Sequence, residues 1–477
     1  MRSECLVRFL RPKQINLDFY NFTSFLRFVI KIYPIKMTKP IQNICQLASA
    51  VSLLMIFMSC SKPNDQFHMP AEWERHDAIW LGWEKDTIRG YYPPIVKAIN
   101  TLTPNVTVKM AFNSDSLMQV AKLYLISQKV DTANIRFYVM PGDRYWIRDH
   151  GAAFLINGKG ELGVADFAWN SYGRPGFLKE KYNGNMDSVQ KYLDKYRVYT
   201  KKTGSVDSLM AVAEGAKVLK TDVVHEGGAI EVNGKGTLIL CEATVFERNP
   251  DLTKEYIESE FKRVLGVSKV IWMKKGLADD PLHFFRKITE NYYGGGTGGH
   301  TDEFVRFANA TTILLAWVEE SEKDTNPVNK MNYQRMSENL KILESATDQN
   351  GKPFTIVKVP LPDFMYRKVA VRKKIEDTEA TLDIELDGFI PSESPQLGDS
   401  VLRVPAASYM NYLVTNGLVM LPTYTAMGSS KEKEERVEKI FKEYFPDRKV
   451  VFIDMMPQNW SGGGLHCSTQ QQPAKSK

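Results

Sequence analysis

Near the C-terminus, Gly462-Gly463-Gly464-Leu465-His466-Cys467 places one cysteine directly after a run of glycines. Glycine lets the backbone pass close to a bound molecule and take turns closed to other residues. A thiol delivered on such a turn suits a nucleophile whose reactivity follows its pKa. Partners for it lie upstream. Gly299-His300-Thr301-Asp302 sets an imidazole and a carboxylate two residues apart, which at strand spacing puts both on one face. His225-Glu226-Gly227-Gly228 sets a carboxylate against paired glycines, as a turn residue or as a group that orients another. Trp146-Ile147-Arg148-Asp149 adds a second aspartate just before the strand pattern 152–156, and the aromatic–polar loop 166–173, with Asn170, suits a pocket wall. A thiol, an imidazole and carboxylates are the parts of covalent hydrolysis. A cysteine amidase would want hydrogen-bond donors, not two aspartates, at the attacked carbon, so the aspartate pair favours a cationic substrate. Read as a metal site, His300 and its carboxylates lack the nitrogen and sulfur ligands zinc prefers.

The elements that must carry these residues alternate along the chain. Short apolar, β-branched runs at 106–112, 136–140, 237–240, 269–273, 311–317, 401–404, 418–421 and 449–453 predict strands. Helical periodicity covers 116–128, 252–265, 329–343 and 431–444. No Pro/Ser-rich linker divides them, so residues 67–477 read as one α/β domain. Gly294–Gly299 has no strand–glycine–helix context and reads as a flexible loop, not a nucleotide fingerprint.

Charge and cysteine usage place the chain. Eight Lys/Arg and two acids in residues 1–60 account for the whole formal net charge of +6. The remainder is formally neutral, which excludes the basic face that nucleic acid requires. A basic start at Met37-Thr38-Lys39, the apolar run 47–58 and then Ser59-Cys60 have the layout of a secretory leader, and the run is too short to span a bilayer. The ending Phe57-Met58-Ser59-Cys60 resembles a bacterial lipobox. Residues 1–59 therefore read as an over-extended start plus a lipoprotein-type signal peptide. Cys60 is then the lipidated residue and 60–66 a tether, holding the protein on the bacterial cell envelope, periplasm-facing or on the outer surface. Beyond Cys60 only Cys241 and Cys467 remain. Cys241 ends an apolar strand pattern, as a small buried hydrophobe would; a Cys241–Cys467 disulfide is the alternative.

These stretches, in this order, resemble the agmatine deiminase and bacterial peptidylarginine deiminase family of guanidine-modifying enzymes. The likeness runs from Met69-Pro-Ala-Glu72-Trp73 to Cys467. It is carried by Trp146-x-Arg148-Asp149, Glu226-Gly-Gly, Glu247-Arg-Asn-Pro250, Gly299-His300-x-Asp302, Ser408-Tyr-Met-Asn411 and His466-Cys-Ser-Thr-Gln-Gln-Gln-Pro473. The resemblance implies a five-bladed α/β propeller (pentein) with pseudo-fivefold symmetry and a site on its axis. It implies hydrolysis of a guanidinium to a ureido group and ammonia, with Cys467 as nucleophile and His300 as acid and base. Glu226 would orient His300, and Asp149 and Asp302 would clamp the substrate. Trp146, Arg148 and Asn170 are the further substrate contacts, and neither metal nor organic cofactor is needed. Agmatine is the first substrate this implies, to give N-carbamoylputrescine. Export keeps peptidyl- or protein-arginine open, and an inactive guanidinium-binding lipoprotein is a third reading. The stretch 277–298 is longer than in typical cytosolic relatives and is a lid or specificity candidate.

Overall fold

The computed structural model describes residues 65–85, 90–282, 285–373, 384–385 and 389–475. The leader 1–59, Cys60 and most of the tether lie outside the described residues. Pro63–Lys477 forms one compact unit.

Local signals explain the elements. The helix Lys431–Tyr444 starts where the Ser430 side chain accepts from the Lys433 N–H, with Glu432 and Glu434 in its first turn, and it buries Val437 and Phe441. An oxygen at that position satisfies one of the orphan donors of a helix start. The helix Lys254–Leu265 is capped by Thr253 and stopped by Gly266 in the left-handed region, and it buries Ile257, Phe261, Val264 and Leu265 on one stripe. The expected helix 252–265 matches it closely. A helix over Met186–Thr203 was not expected; it buries Val189 and packs the partly buried Tyr192 and Leu193 beside it.

Among the described residues the strands form six small sheets of a mixed α/β fold, and five of the sheets repeat one order. In each, a first strand pairs antiparallel with a second, and the second pairs parallel with a third. The sets are Ala153–Ile156, Leu162–Ala168 and Lys217–Val224; Glu231–Val232, Thr237–Cys241 and Lys269–Met273; Val305–Asn309, Thr312–Trp317 and Thr355–Pro360; and Leu413–Thr415, Leu418–Pro422 and Lys449–Ile453. In the fifth, Thr469–Pro473 returns from the C-terminus to pair antiparallel with His76–Trp83, which pairs parallel with Thr107–Phe112. Antiparallel neighbours need only a short turn, whereas the parallel step needs a crossover.

The sixth sheet takes in part of the stretch 277–298. Arg286–Thr289 and Tyr292–Gly294 form an antiparallel hairpin whose second strand pairs parallel with Ser400–Val404. Within the stretch 277–298, residues 286–289 and 292–294 are therefore strand. The glycines after them are pinned too: Asp280 accepts from the N–H groups of Thr297, Gly298, Gly299 and His300. A buried carboxylate collecting successive backbone donors fixes a glycine run that composition alone reads as flexible.

Candidate active site

Each of the five repeated first strands is preceded, within a few residues, by a short turn bearing a polar side chain. Asp149 sits in the one-turn helix Ile147–His150, where the sequence suggested the start of a strand. Glu226 precedes the single turn Gly227–Ala229, Asp302 and Glu303 lie in the turn Thr301–Glu303, and Asn411 and Cys467 precede the remaining two strands. The strand spacing expected for His300 and Asp302 is replaced by this tight turn, closed by Glu303 N–H to the His300 carbonyl at 3.2 Å.

These turns meet in one place. A Cβ on Gly228 would lie 2.6 Å from His300 Nδ1, 2.8 Å from Asp149 Oδ1 and 3.1 Å from Asp302 Oδ2. Only a residue without a side chain allows the three to converge. His300 Nδ1 lies 3.5 Å from Asp149 Oδ1, and its Nε2 lies 3.4 Å from Glu226 Oε2. Glu226 Oε1 accepts from Arg248 Nε at 2.9 Å. Asp149 accepts from the Gly228 N–H at 3.0 Å and from the Tyr172 hydroxyl at 2.9 Å. Across the site, Cys467 Sγ lies 3.4 Å from Asp302 Oδ2 and 3.9 Å from Glu303 Oε1. Asn411 Nδ2 donates to Sγ at 3.0 Å and to Glu303 Oε1 at 2.8 Å. All of these groups except the half-buried Tyr172 are buried. Both His300 nitrogens, Glu226 Oε2 and Asp302 Oδ1 make no hydrogen bond to the described protein.

Burial and neighbouring charge set the proton positions. Burial opposes a charged His300, but Asp149 and then Glu226 outweigh it and hold the ring at about 9. Burial likewise opposes an ionised Glu226; Arg248 and then His300 outweigh it and pull the carboxyl to about 2. Burial pushes the Cys467 thiol well up, and Asp302, Glu303 and Asp149 push it further. Asp149 is raised by burial despite His300, with Asp302 and Glu226 adding to the rise. Glu303 is raised well above its usual range, by burial first and then by Asp302. The site thus holds a protonated imidazole, a protonated thiol and an excess of acids. A planar cation with paired N–H donors complements that excess, since guanidinium and carboxylate match in charge and geometry.

Residues 68–473 match the model of the Porphyromonas-type peptidyl-arginine deiminase family. The chain belongs to that family. An agmatine deiminase from Ectopseudomonas mendocina (strain ymp) is 30% identical over 433 residues, covering 88% of this chain and 99% of that protein. One from Stutzerimonas stutzeri (strain A1501) is 29% identical over 431 residues, again 88% of this chain and 99% of the relative. The solved agmatine deiminase of Enterococcus faecalis covers 87% of this chain and 99% of its own with TM-score 0.63 and 23% identity. A substrate-bound agmatine deiminase of C. jejuni gives TM-score 0.59 at 19% identity, over 86% of this chain and 98% of its own. These two likenesses are of fold.

Within this deiminase-family chain, the structure gathers Cys467, His300, Glu226, Asp149 and Asp302 and treats the remaining candidates differently. The Trp146 ring and Cys467 Sγ would both touch a Cβ on Gly463, at 2.9 and 3.2 Å, so ring and thiol border the same turn. Arg148 is buried and engaged by protein: Nε donates to the His466 carbonyl at 3.3 Å, Nη1 to Glu72 at 3.4 Å, and Nη2 to Gln471. Asn170 braces its own loop, accepting from the Gly173 N–H at 2.7 Å and donating to the Arg248 carbonyl at 3.4 Å. Asn411, Glu303, Tyr172 and His466 were not among the sequence candidates. Asn411 lay inside a stretch that carried the resemblance, and Glu303 stood next to Asp302, but an amide and a third acid give no signal of their own. Cys241 and Cys467 are both free, and Cys241 is a buried strand residue. Asp302, Glu303 and Cys467 place three ligand-type atoms within 4.8 Å of one another. Asn411 already donates to two of them, and none is an imidazole.

Proposed function

We propose that this protein is an agmatine deiminase, converting the guanidinium to a ureido group and releasing ammonia through a covalent adduct on Cys467. The observation that carries this reading is the convergence of Asp149, Asp302, His300 and Cys467 on one buried point. The named activity of the relatives supports the substrate. The guanidinium would lie between Asp149 and Asp302, and its positive charge would offset the acids that keep the thiol protonated. Sγ loses its proton to solvent, attacks the guanidinium carbon and forms a C–S bond. The protonated His300 gives its proton to the departing nitrogen, the C–N bond breaks, and ammonia leaves an S-alkylthiouronium. The neutral ring then takes a proton from water, which attacks the same carbon; the C–S bond breaks and the ureido product leaves. Glu226 holds the ring in place throughout. Trp146 would line the substrate's path, and Arg148 and Asn170 would act through the groups they brace.

The five repeated sheets, each offering a turn to one site and closed by the pairing of 469–473 with 76–83, support a five-bladed α/β propeller about that site. A second reading, peptidyl-arginine, is favoured by the family model itself and by the lipobox-like Cys60, which would hold the enzyme on the cell envelope. Ammonia release from agmatine, arginine and an arginyl peptide, measured in parallel, tests all of this. Turnover of agmatine at the highest kcat/KM is expected. Preference for the peptide would select the second reading, and no release from any of them would leave a guanidinium-binding protein.

A further inference from the structure

Of the buried imidazoles that take no part in the reaction above, one adjoins the nucleophile. His466 is fully buried, immediately before Cys467 in the chain. Its Nδ1 lies 2.8 Å from Asp302 Oδ2 and its Nε2 lies 2.8 Å from Glu72 Oε1. Its backbone is held as well: the N–H donates to Asn411 Oδ1 at 2.8 Å, and the carbonyl accepts from Arg148 Nε at 3.3 Å. Glu72 is anchored in turn by Arg306 and by Arg148 Nη1. An ionised carboxylate can only accept, so a ring flanked by two of them donates from both nitrogens. Hydrogen bonds of this charged kind are short, strong and directional.

The consequence falls on Asp302, whose two oxygens stand in different surroundings. Oδ2 meets His466 Nδ1 and faces Cys467 Sγ at 3.4 Å. Oδ1 is buried and makes no hydrogen bond to the described protein. The ring therefore fixes the rotation of the carboxylate, and the gripped Oδ2 is the oxygen that also borders the point marked by Gly228, 3.1 Å from a Cβ there. We propose that His466 is a positioning residue of the deiminase reaction, gripping Asp302 by Oδ2 so that the carboxylate is held beside Cys467 and the point marked by Gly228 to receive a guanidinium N–H, with Glu72 gripping His466 from behind. This rests on the deiminase reading above.

Charge acts in the same direction as geometry. Cys467, Glu303 and Asp149 face Asp302 and disfavour another anion. Burial alone would raise the Asp302 carboxyl; His466 is the strongest opposing influence, followed by His300 and Arg306, and together they hold it below its ordinary value. A neutral amide in place of the ring removes the largest of these cations, so Asp302 takes up its proton at higher pH.

The test compares the full chain with His466→Gln and Glu72→Gln on whichever guanidinium substrate the wild type turns over, with kcat and KM followed across pH. His466→Gln is expected to lower kcat/KM near neutrality about 10- to 100-fold, the size typical of a residue that orients a ligand-contacting group. The larger part should appear in KM. The acid limb should move to higher pH, so that the deficit narrows as pH rises. Glu72→Gln leaves every contact of Asp302 in place and should move the same limb the same way, by less. A residue needed only for folding would reduce activity by one factor at every pH. Unmoved limbs in both variants overturn the inference, and if His466→Gln does not fold, Glu72→Gln decides alone. Limbs unmoved in an active enzyme sink this inference only, whereas a wild type that releases no ammonia sinks the deiminase reading and this inference with it.

Discussion

At the scale of single residues, the chemistry turns on where protons sit before substrate arrives. Cys467→Ser should cut kcat about 10³-fold or more, because a hydroxyl lacks a thiolate's acidity and nucleophilicity. Ammonia assays on the folded variant check this, and survival of a tenth of the activity would remove Cys467 as nucleophile. Asp149→Asn and Asp302→Asn each delete one charged partner of a desolvated cation, at a cost of about 2–5 kcal/mol. That corresponds to roughly 30-fold to several thousand-fold in kcat/KM, and a change under threefold would take that residue out of the clamp. The pH dependence follows from the same groups. His300 works as an acid while protonated, and its value is held at about 9. The alkaline limb of kcat/KM should therefore fall as pH rises through about 9. Asp149 must be ionised and its carboxyl is raised by burial, so the acid limb should fall as pH drops through a point above the usual carboxylate range. A profile still flat well above pH 9 would assign the proton of the leaving ammonia to another donor.

At the scale of elements, the site is made by turns and not by the strands that carry them. Gly228 shows how closely the turns pack. Its backbone lies outside the left-handed region, so alanine there strains nothing locally, yet its methyl would sit 2.6 Å from His300 Nδ1 and 2.8 Å from Asp149 Oδ1. Gly228→Ala should lower the melting temperature by a few degrees, because the methyl overpacks a buried site, and should lower kcat/KM by about 10²-fold, the scale of an ångström's misplacement of reacting groups. Thermal unfolding and kinetics on one preparation separate the two effects; near-normal kcat/KM would mean that the guanidinium binds elsewhere. The turn bearing Cys467 is packed as tightly, since a Cβ on Gly464 would meet Asn411 Oδ1 at 2.6 Å. The glycine-rich approach to Cys467 therefore has a second use: it lets Asn411 reach the thiol.

At the scale of the whole molecule, the question is where the enzyme works. No helix among the described residues is long and apolar enough to cross a membrane, and residues 61–477 are formally neutral. Attachment through Cys60 would thus be by lipid and not by charge, and an anchor of more than one acyl chain holds through salt. Wild-type protein should stay with membranes in high-salt washes, and Cys60→Ala should release it or leave an uncleaved precursor. Cell fractionation and mass spectrometry of the N-terminus read this directly; a soluble protein that keeps residues before Cys60 would refute it.

What the sequence by itself determined is what local physics encodes. Apolar runs located several strands and several helices, because burial periodicity acts over a few residues. Residue type named the thiol, the imidazole and the aspartates, because only such groups perform that chemistry. The motif order carried the family. What only the tertiary structure decided is pairing over distance. Glu72 and His466 are 394 positions apart, yet lie 2.8 Å from each other. They meet because Thr469–Pro473 returns to His76–Trp83. The fivefold repetition of one sheet order is a property of backbone pairing and leaves no repeat of residues to read. Desolvation is equally nonlocal. Arg148 lay beside Asp149 in the sequence and read as a substrate contact, whereas its burial against Glu72 and Gln471 makes it part of the frame. The thiol of Cys467 was visible as a nucleophile, but the acids that keep it protonated until a cation arrives come from other turns, brought beside it by the fold.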